Sequence, residues 1–259
     1  MTALAAPVRT RPVTVAALIV TSLVSWGCTS GCSVGFGVES DDDSVARQLT
    51  PISTPPVREG LAAAILIDVS GSMTESVRGE GGRSEKKIDI ARRAAYGLVE
   101  QFERYAADHP AEPVLLGIYE FSRRADRPDL RPLLPMDVPS SPGAVAALAK
   151  AVADGGTPIG SAMIAAKHAL DATGLGRRHL LVVTDGDNTD GVPPDRVAAA
   201  MSRRPEAERP SMYFVAFDID ASHFAGVRDA GGLLLAAGNA KELTSTLDGL
   251  LRGKILVEQ

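Results

Sequence analysis

The chain has 259 residues but only two cysteines, Cys28 and Cys32, and both precede the part that reads as foldable. That excludes a disulfide framework and a thiolate metal site in the core. Histidine is scarce: His109, His168, His179 and His223 fall on expected helix ends, a helix body and a strand start. Each reads as a surface or satisfied core residue. There is no excess of basic charge, the formal net being −5 with a pI near 5.4, so nucleic acid is not indicated as the partner. No apolar run reaches the roughly 20 residues of a comfortable membrane span, and no internal repeat is visible. The hydrophobic fraction of 45% and charged fraction of 23% suit a soluble globular domain,. The length allows one sizeable domain with an appendage.

Three segments precede or follow the expected domain. In residues 1–32, Arg9 and Arg11 lead into an apolar run from Val13 to Trp26 that ends at Gly27-Cys28. A short apolar run behind positive charge suits an export signal. Gly before Cys after such a run resembles a lipoprotein signal peptide, with lipid on Cys28. Ser25 and Trp26 depart from that pattern, Cys32 after Ser30-Gly31 is a second candidate, and an uncleaved anchor is the alternative. The expected localisation is the cell envelope, at the membrane through the N-terminus. Residues 33–60 contain Asp41-Asp42-Asp43 and Pro51, Pro55 and Pro56 with few large apolar groups, which predicts a linker with a reach on the order of 30 Å. Residues 253–259 are expected to be a tail.

From Leu61 the texture changes. LAAAILID is a continuous apolar run, as expected of a strand buried on both faces. In KKIDIARRAAYGLVEQFERY, Ile88, Ala91, Ala95, Leu98 and Phe102 step by three and four, which predicts a helix. VLLGIYEF, HLLVVT, MYFVAF and GLLLAA read as further strands. SPGAVAALAKAV, Pro158 to Leu170, PPDRVAAAMS and Lys241 to Leu251 read as helices. RRADRPDLRPLLPM carries Pro128 and Pro132 and suits an edge hairpin. The alternation predicts an α/β domain over 61–252, doubly wound around a mostly parallel sheet with one antiparallel edge strand.

In such sheets ligands collect beyond the carboxyl ends of the strands, and three loops there share one chemistry. They are Asp68-Val69-Ser70-Gly71-Ser72, Gly155-Gly156-Thr157-Pro158 and Thr184-Asp185-Gly186. All offer hard oxygen donors and none offers sulfur or imidazole, which favours Mg²⁺ (or Mn²⁺) over zinc, copper or a Ca²⁺ ion needing six to eight oxygens. Two carboxylates among neutral hydroxyls leave such an ion wanting one more anionic oxygen. The plain alternative is that Asp68, Asp185 and Thr157 only cap helices.

DVSGSM at 68–73, GGTPIGSA at 155–162 and TDGDN at 184–188, with YEFS at 119–122, together resemble the von Willebrand factor A domain with a metal-ion-dependent adhesion site. The resemblance covers roughly Leu61 to Leu251. It implies a Rossmann-like fold and a metal held by Asp68, Ser70, Ser72, Thr157 and Asp185. The hydroxyls would ligate directly and the aspartates often through water. It also implies metal-assisted binding of a protein that presents an Asp or Glu, rather than catalysis. The insert TESVRGEGGRSEKK at 74–87 is longer than the family pattern leads one to expect, and reads either as a shaper of partner choice or as a solvated loop. Asp218 and Asp220 either line the same rim or are simply solvated.

Two other functions compete. LLVVTDGDNT resembles the first motif of haloacid-dehalogenase-type phosphotransferases, with Asp185 as nucleophile and Asp187 as acid/base. That motif normally lies on the first strand, and no late acidic pair follows here. The other possibility is recruitment of substrates to a separate ATPase machine. An EF-hand over Asp185–Arg196 fails, because position six is Asp190 and position twelve is Arg196.

Overall fold

In the computed structural model, residues 41–52, 55–78 and 82–257 are described, and they belong to the compact unit Glu39–Gln259. The expected export segment with Cys28 and Cys32, and the first residues of the expected linker, lie outside the described residues. Among the described residues no helix is long and apolar enough to cross a membrane.

Among the described residues eight strands form: β1 (Arg58–Asp68), β2 (Ser76–Arg78), β3 (Ser84–Lys86), β4 (Val114–Phe121), β5 (Leu130–Asp137), β6 (Leu175–Thr184), β7 (Ser211–Phe217) and β8 (Leu233–Ala237). Seven helices accompany them: α1 (Asp41–Gln48), α2 (Lys87–Asp108), α3 (Ala144–Leu148), α4 (Ile159–Thr173), α5 (Pro194–Ser202), α6 (Ala225–Asp229) and α7 (Ala240–Leu250). Six strands make one sheet in the order β5-β4-β1-β6-β7-β8, parallel except for β5, which runs antiparallel on the edge beside β4. Pro132 and Pro135 are tolerated there because an edge strand needs only one side of its ladder,.

β1 is buried on both faces, and its alternation divides the core. Leu61, Ala63, Ile65 and Ile67 pack with Ile88, Leu98 and Phe102 of α2 and with Leu243 and Leu247 of α7. Ala62, Ala64 and Leu66 pack on the other face with Met163 and Leu170 of α4 and Val197 and Met201 of α5. Successive strand side chains point to opposite faces, so a strand covered by helices on both sides must be apolar throughout. The α/β architecture with one antiparallel edge strand is therefore as the pattern predicts.

The ends of the expected domain are different. Asp41–Gln48 of the expected linker is helical, and Val45 and Leu49 are buried in the second core face. Their spacing of four puts both on one side of a helix, enough to seat this short segment among the residues around α5,. The strand β1 likewise begins at Arg58 rather than Leu61. At the other end the backbone continues past α7 through Leu251–Ile255, with Ile255 buried, so the expected tail starts inside the fold. Helix α3 stops at Leu148, four residues short of the apolar pattern. The carbonyls of Ala151, Val152 and Asp154 are taken by Arg92 and Arg124 from elsewhere in the fold.

Candidate metal centre

In the sheet the chain moves from β1 outward to β4 and β5, then crosses back to β6 on β1's other side. Connections from adjacent β1 and β6 thus leave in opposite directions, which opens a crevice at their carboxyl ends. β1 ends at Asp68 and β6 ends at Thr184, so the first and third oxygen-bearing loops flank that crevice.

Hydrogen bonds tie all three loops together. Between the first and third, Ser72 Oγ donates to Asp185 Oδ1 at 2.7 Å and Thr184 Oγ1 donates to Asp68 Oδ2 at 2.6 Å. Between the first and second, Gly71 N–H donates to the Gly155 carbonyl at 2.9 Å and Asp154 N–H donates to the Val69 carbonyl at 2.8 Å. Between the second and third, Thr189 N–H donates to the Thr157 carbonyl at 3.1 Å, and Thr157 N–H donates to Thr189 Oγ1 at 2.8 Å. Gly155 makes the first of these approaches possible with φ +90, a left-handed conformation; a methyl there would lie 2.3 Å from the Arg123 carbonyl,.

The five predicted residues therefore come together. Ser70 Oγ and Ser72 Oγ are 3.0 Å apart. A methyl added at Gly186 would meet Ser72 Oγ at 3.5 Å and Thr157 Oγ1 at 3.9 Å, so those hydroxyls converge beside the bare Gly186 backbone. Asp68, Ser70, Thr157 and Asp185 are all buried. The plain capping alternative fits less well. Asp68 Oδ1 accepts from Ser70 N–H at 2.7 Å, but Ser70 makes no side-chain cap to the short helical turn Gly71–Thr74, and Thr157 lies one residue before Pro158, which holds the N-cap position of α4.

Charge makes the cluster unusual. Burial pushes the Asp68 carboxyl up to about 6, against the lowering effect of its bonds from Thr184 and Ser70; nearby Asp185 adds a smaller upward push,. The Asp185 side chain is fully enclosed, and its Oδ2 accepts no hydrogen bond. Its charged neighbour is Lys87 Nζ at 3.0 Å, an ion pair without hydrogen-bond alignment. Two enclosed carboxylates beside three hydroxyls form a hard-oxygen donor set that fits a small divalent cation,. Asp68, Ser70, Ser72, Thr157 and Asp185 would hold it. Among the described residues no group of three or more His, Cys, Asp or Glu is arranged to hold a metal; hydroxyls supply most of this donor set.

Lys87 is the residue that sequence reading missed. It is the first helical residue of α2, buried, with Nζ 3.0 Å from Asp185 Oδ2, 3.0 Å from Asp218 Oδ2 and 3.3 Å from Glu75 Oε2. Burial pulls the ammonium's pKa down, but the close carboxylates of Asp218 and Asp185 outweigh it, and the group is held above the usual lysine range. A signal existed in the sequence. A cation in the first turn opposes the helix dipole and calls for nearby anions. Asp218 thus joins the rim, whereas Asp220 accepts from Ser222 N–H at the turn Ala221–Phe224. The 74–87 insert is not simply a loop, because β2 and β3 pair antiparallel within it, Val77 opposite Glu85. Asp187, which phosphoryl transfer would need beside Asp185, is exposed and paired with His223 Nδ1. Of the other histidines, His179 is buried with Nδ1 3.2 Å from the Tyr213 hydroxyl.

No family model matches this sequence, and no curated protein matches it. Solved structures do match in fold. The PilB minor pilin of Streptococcus sanguinis superposes with a TM-score of 0.59 at 10% identity, over 79% of this chain and 63% of the pilin. A von Willebrand factor type A structure from Catenulispora acidiphila gives 0.56 at 16% identity, over 74% of this chain and 42% of that one. The conserved hypothetical protein BatB of Bacteroides thetaiotaomicron gives 0.54 at 16% identity, over 74% of this chain and 98% of BatB. The chain thus spans less than two thirds of the pilin and of the Catenulispora protein. With its five parallel strands, antiparallel edge and helices on both faces, this chain has the Rossmann-like fold of von Willebrand factor A domains.

Proposed function

We propose that this chain is a metal-dependent protein-binding module displayed in the cell envelope. The observation that carries this reading is the meeting of Ser70, Ser72 and Thr157 hydroxyls with Asp68 and Asp185 in one crevice, tied by bonds among all three loops. Asp68, Ser70, Ser72, Thr157 and Asp185 would hold Mg²⁺ (or Mn²⁺) there, and the ion would supply a Lewis-acidic point for an incoming carboxylate. Two carboxylates and three hydroxyls fall short of the roughly six oxygens such an ion takes, so an Asp or Glu of a partner protein would complete its shell. Asp68 and Asp185 hold position through Thr184 and Ser72, which keeps the donors oriented before the partner arrives. The role is recognition rather than catalysis. Asp185, the residue a phosphotransferase would use as nucleophile, has one oxygen on Ser72 and the other facing Lys87. A module of this kind serves adhesion or delivery of substrates to a separate machine, and the N-terminal segment ending at Gly27-Cys28 favours adhesion at the envelope.

Thermal unfolding in Mg²⁺ and in EDTA tests the reading. The wild-type chain is expected to gain stability with Mg²⁺, and Ser70→Ala to lose that gain while its melting temperature in EDTA changes little. Equal Mg²⁺ stabilisation of both proteins overturns the metal site. Partner capture in Mg²⁺ but not in EDTA is the corresponding test of the binding role.

A further inference from the structure

The position of Lys87 calls for a physical account. Its backbone N–H donates to the Glu75 carbonyl at 2.9 Å, which fixes the start of α2 beside the first oxygen-bearing loop. The ammonium meets Asp185 and Asp218 at equal distance, with Glu75 slightly farther. Asp218 adopts φ +57, a left-handed conformation uncommon outside glycine, and its N–H donates to the Ala237 carbonyl at 2.8 Å,. Asp185 is divided: Oδ1 accepts from Ser72 Oγ, and Oδ2 faces Lys87.

We propose that Lys87 is a built-in counter-cation of the metal centre, which turns only Oδ1 of Asp185 toward the hydroxyl cluster and lowers the site's affinity for the divalent ion. This rests on the metal-centre reading above and adds what sets the strength of the site. Two enclosed carboxylates, Asp68 and Asp185, would neutralise a divalent ion by themselves. The ammonium, itself enclosed, restores one positive charge. Asp218 and Glu75 offset less of it, because their side chains are 40% and 68% exposed and water screens them,. The bound ion then keeps a net positive charge, and an outside carboxylate is drawn to it. Without Lys87 the site satisfies the ion from within and has less need of a partner.

Mn²⁺ binding to the full chain, followed by the electron paramagnetic resonance of the free ion, tests this with Lys87→Met, Lys87→Gln and Lys87→Arg. Both neutral variants are expected to bind Mn²⁺ at least tenfold more tightly than wild type, and Lys87→Arg to bind as wild type does. Equal or weaker binding by the neutral variants overturns the proposal and leaves the metal centre standing, with Lys87 only a scaffold contact. Absence of Mn²⁺ binding in every protein, wild type included, overturns both. A neutral variant that is unfolded in EDTA but folds on Mn²⁺ addition, by circular dichroism, supports the proposal, because the ion then takes over the ammonium's charge. One that stays unfolded in Mn²⁺ overturns it.

Discussion

Asp68→Asn separates the two states of the centre most sharply, because it should make the metal-free protein stronger and the metal-loaded protein weaker. Asp68 is fully enclosed, and its pKa of about 6 compares with an ordinary 3.8. A folded-state value above the unfolded one means the native protein holds more protons between pH 4 and 6, so stability falls as pH rises through that window. At pH 7.5 the loss amounts to about 3 kcal/mol. Asparagine removes that charge and its repulsion from Asp185. Its Oδ1 still accepts from Ser70 N–H, while the Thr184 hydroxyl, now facing an amide donor, redirects its proton to the Gly186 carbonyl 3.2 Å away. The rearranged bond returns part of the gain, leaving a net stabilisation of about 1–3 kcal/mol. For a domain of this size that is a rise of about 2–12 °C in melting temperature. Differential scanning calorimetry in EDTA at pH 7.5 should show the rise, and a series from pH 4 to 7.5 should show the wild-type decline flattened in the variant. In Mg²⁺ the order should reverse, because the amide is a poorer ligand. A variant less stable than wild type in EDTA, with an undiminished gain from Mg²⁺, would refute the charge argument.

Three further outcomes are expected. Gly155→Ala forces a left-handed residue against the Arg123 carbonyl 2.3 Å away, and should cost about 2–4 kcal/mol together with most of the Mg²⁺ response; chemical denaturation with and without Mg²⁺ reads both. Leu49→Ala should destabilise by about 2–4 kcal/mol in urea unfolding, because Leu49 is fully buried,; a change below about 0.5 kcal/mol would mean that residues 41–49 are a free tether in solution. Mass spectrometry of the membrane fraction should find a lipid-modified N-terminal Cys28, and an intact Met1 on soluble protein would count against export.

Much of the fold was legible because burial on two faces leaves a coarse mark. Residues 61–67, 114–119 and 180–183 run without a charged residue and almost wholly apolar, as strands covered on both faces require, and they form central strands of the sheet,. The step of three and four from Ile88 to Phe102 marked one face of α2, and each of those residues is buried. The segment 41–49 was not legible, since one apolar pair, Val45 and Leu49, among aspartates and prolines carries no periodicity. Its helix depends on a surface near α5 that the chain assembles much later. Helix α3 erred in the other direction, its apolar pattern running on while distant arginines claimed the carbonyls of 151, 152 and 154.

The oxygen donors of the candidate centre were readable because strand-end loops in a parallel sheet must gather at one rim, and only certain side chains suit a hard cation. Local sequence thus determined the strands of the main sheet, the longer helices and the candidate donors Asp68, Ser70, Ser72, Thr157 and Asp185, but not the strands β2 and β3 within the 74–87 insert. Tertiary structure alone decided that Lys87, Asp218 and Glu75 meet beside Asp185, that Asp187 turns instead to His223, and that Asp68 is enclosed enough to hold its proton up to about pH 6. The physical reason is one of range. Propensity and periodicity act over a few residues and survive in the order of the chain, whereas Coulomb interaction and desolvation act through space between residues a dozen to more than a hundred positions apart.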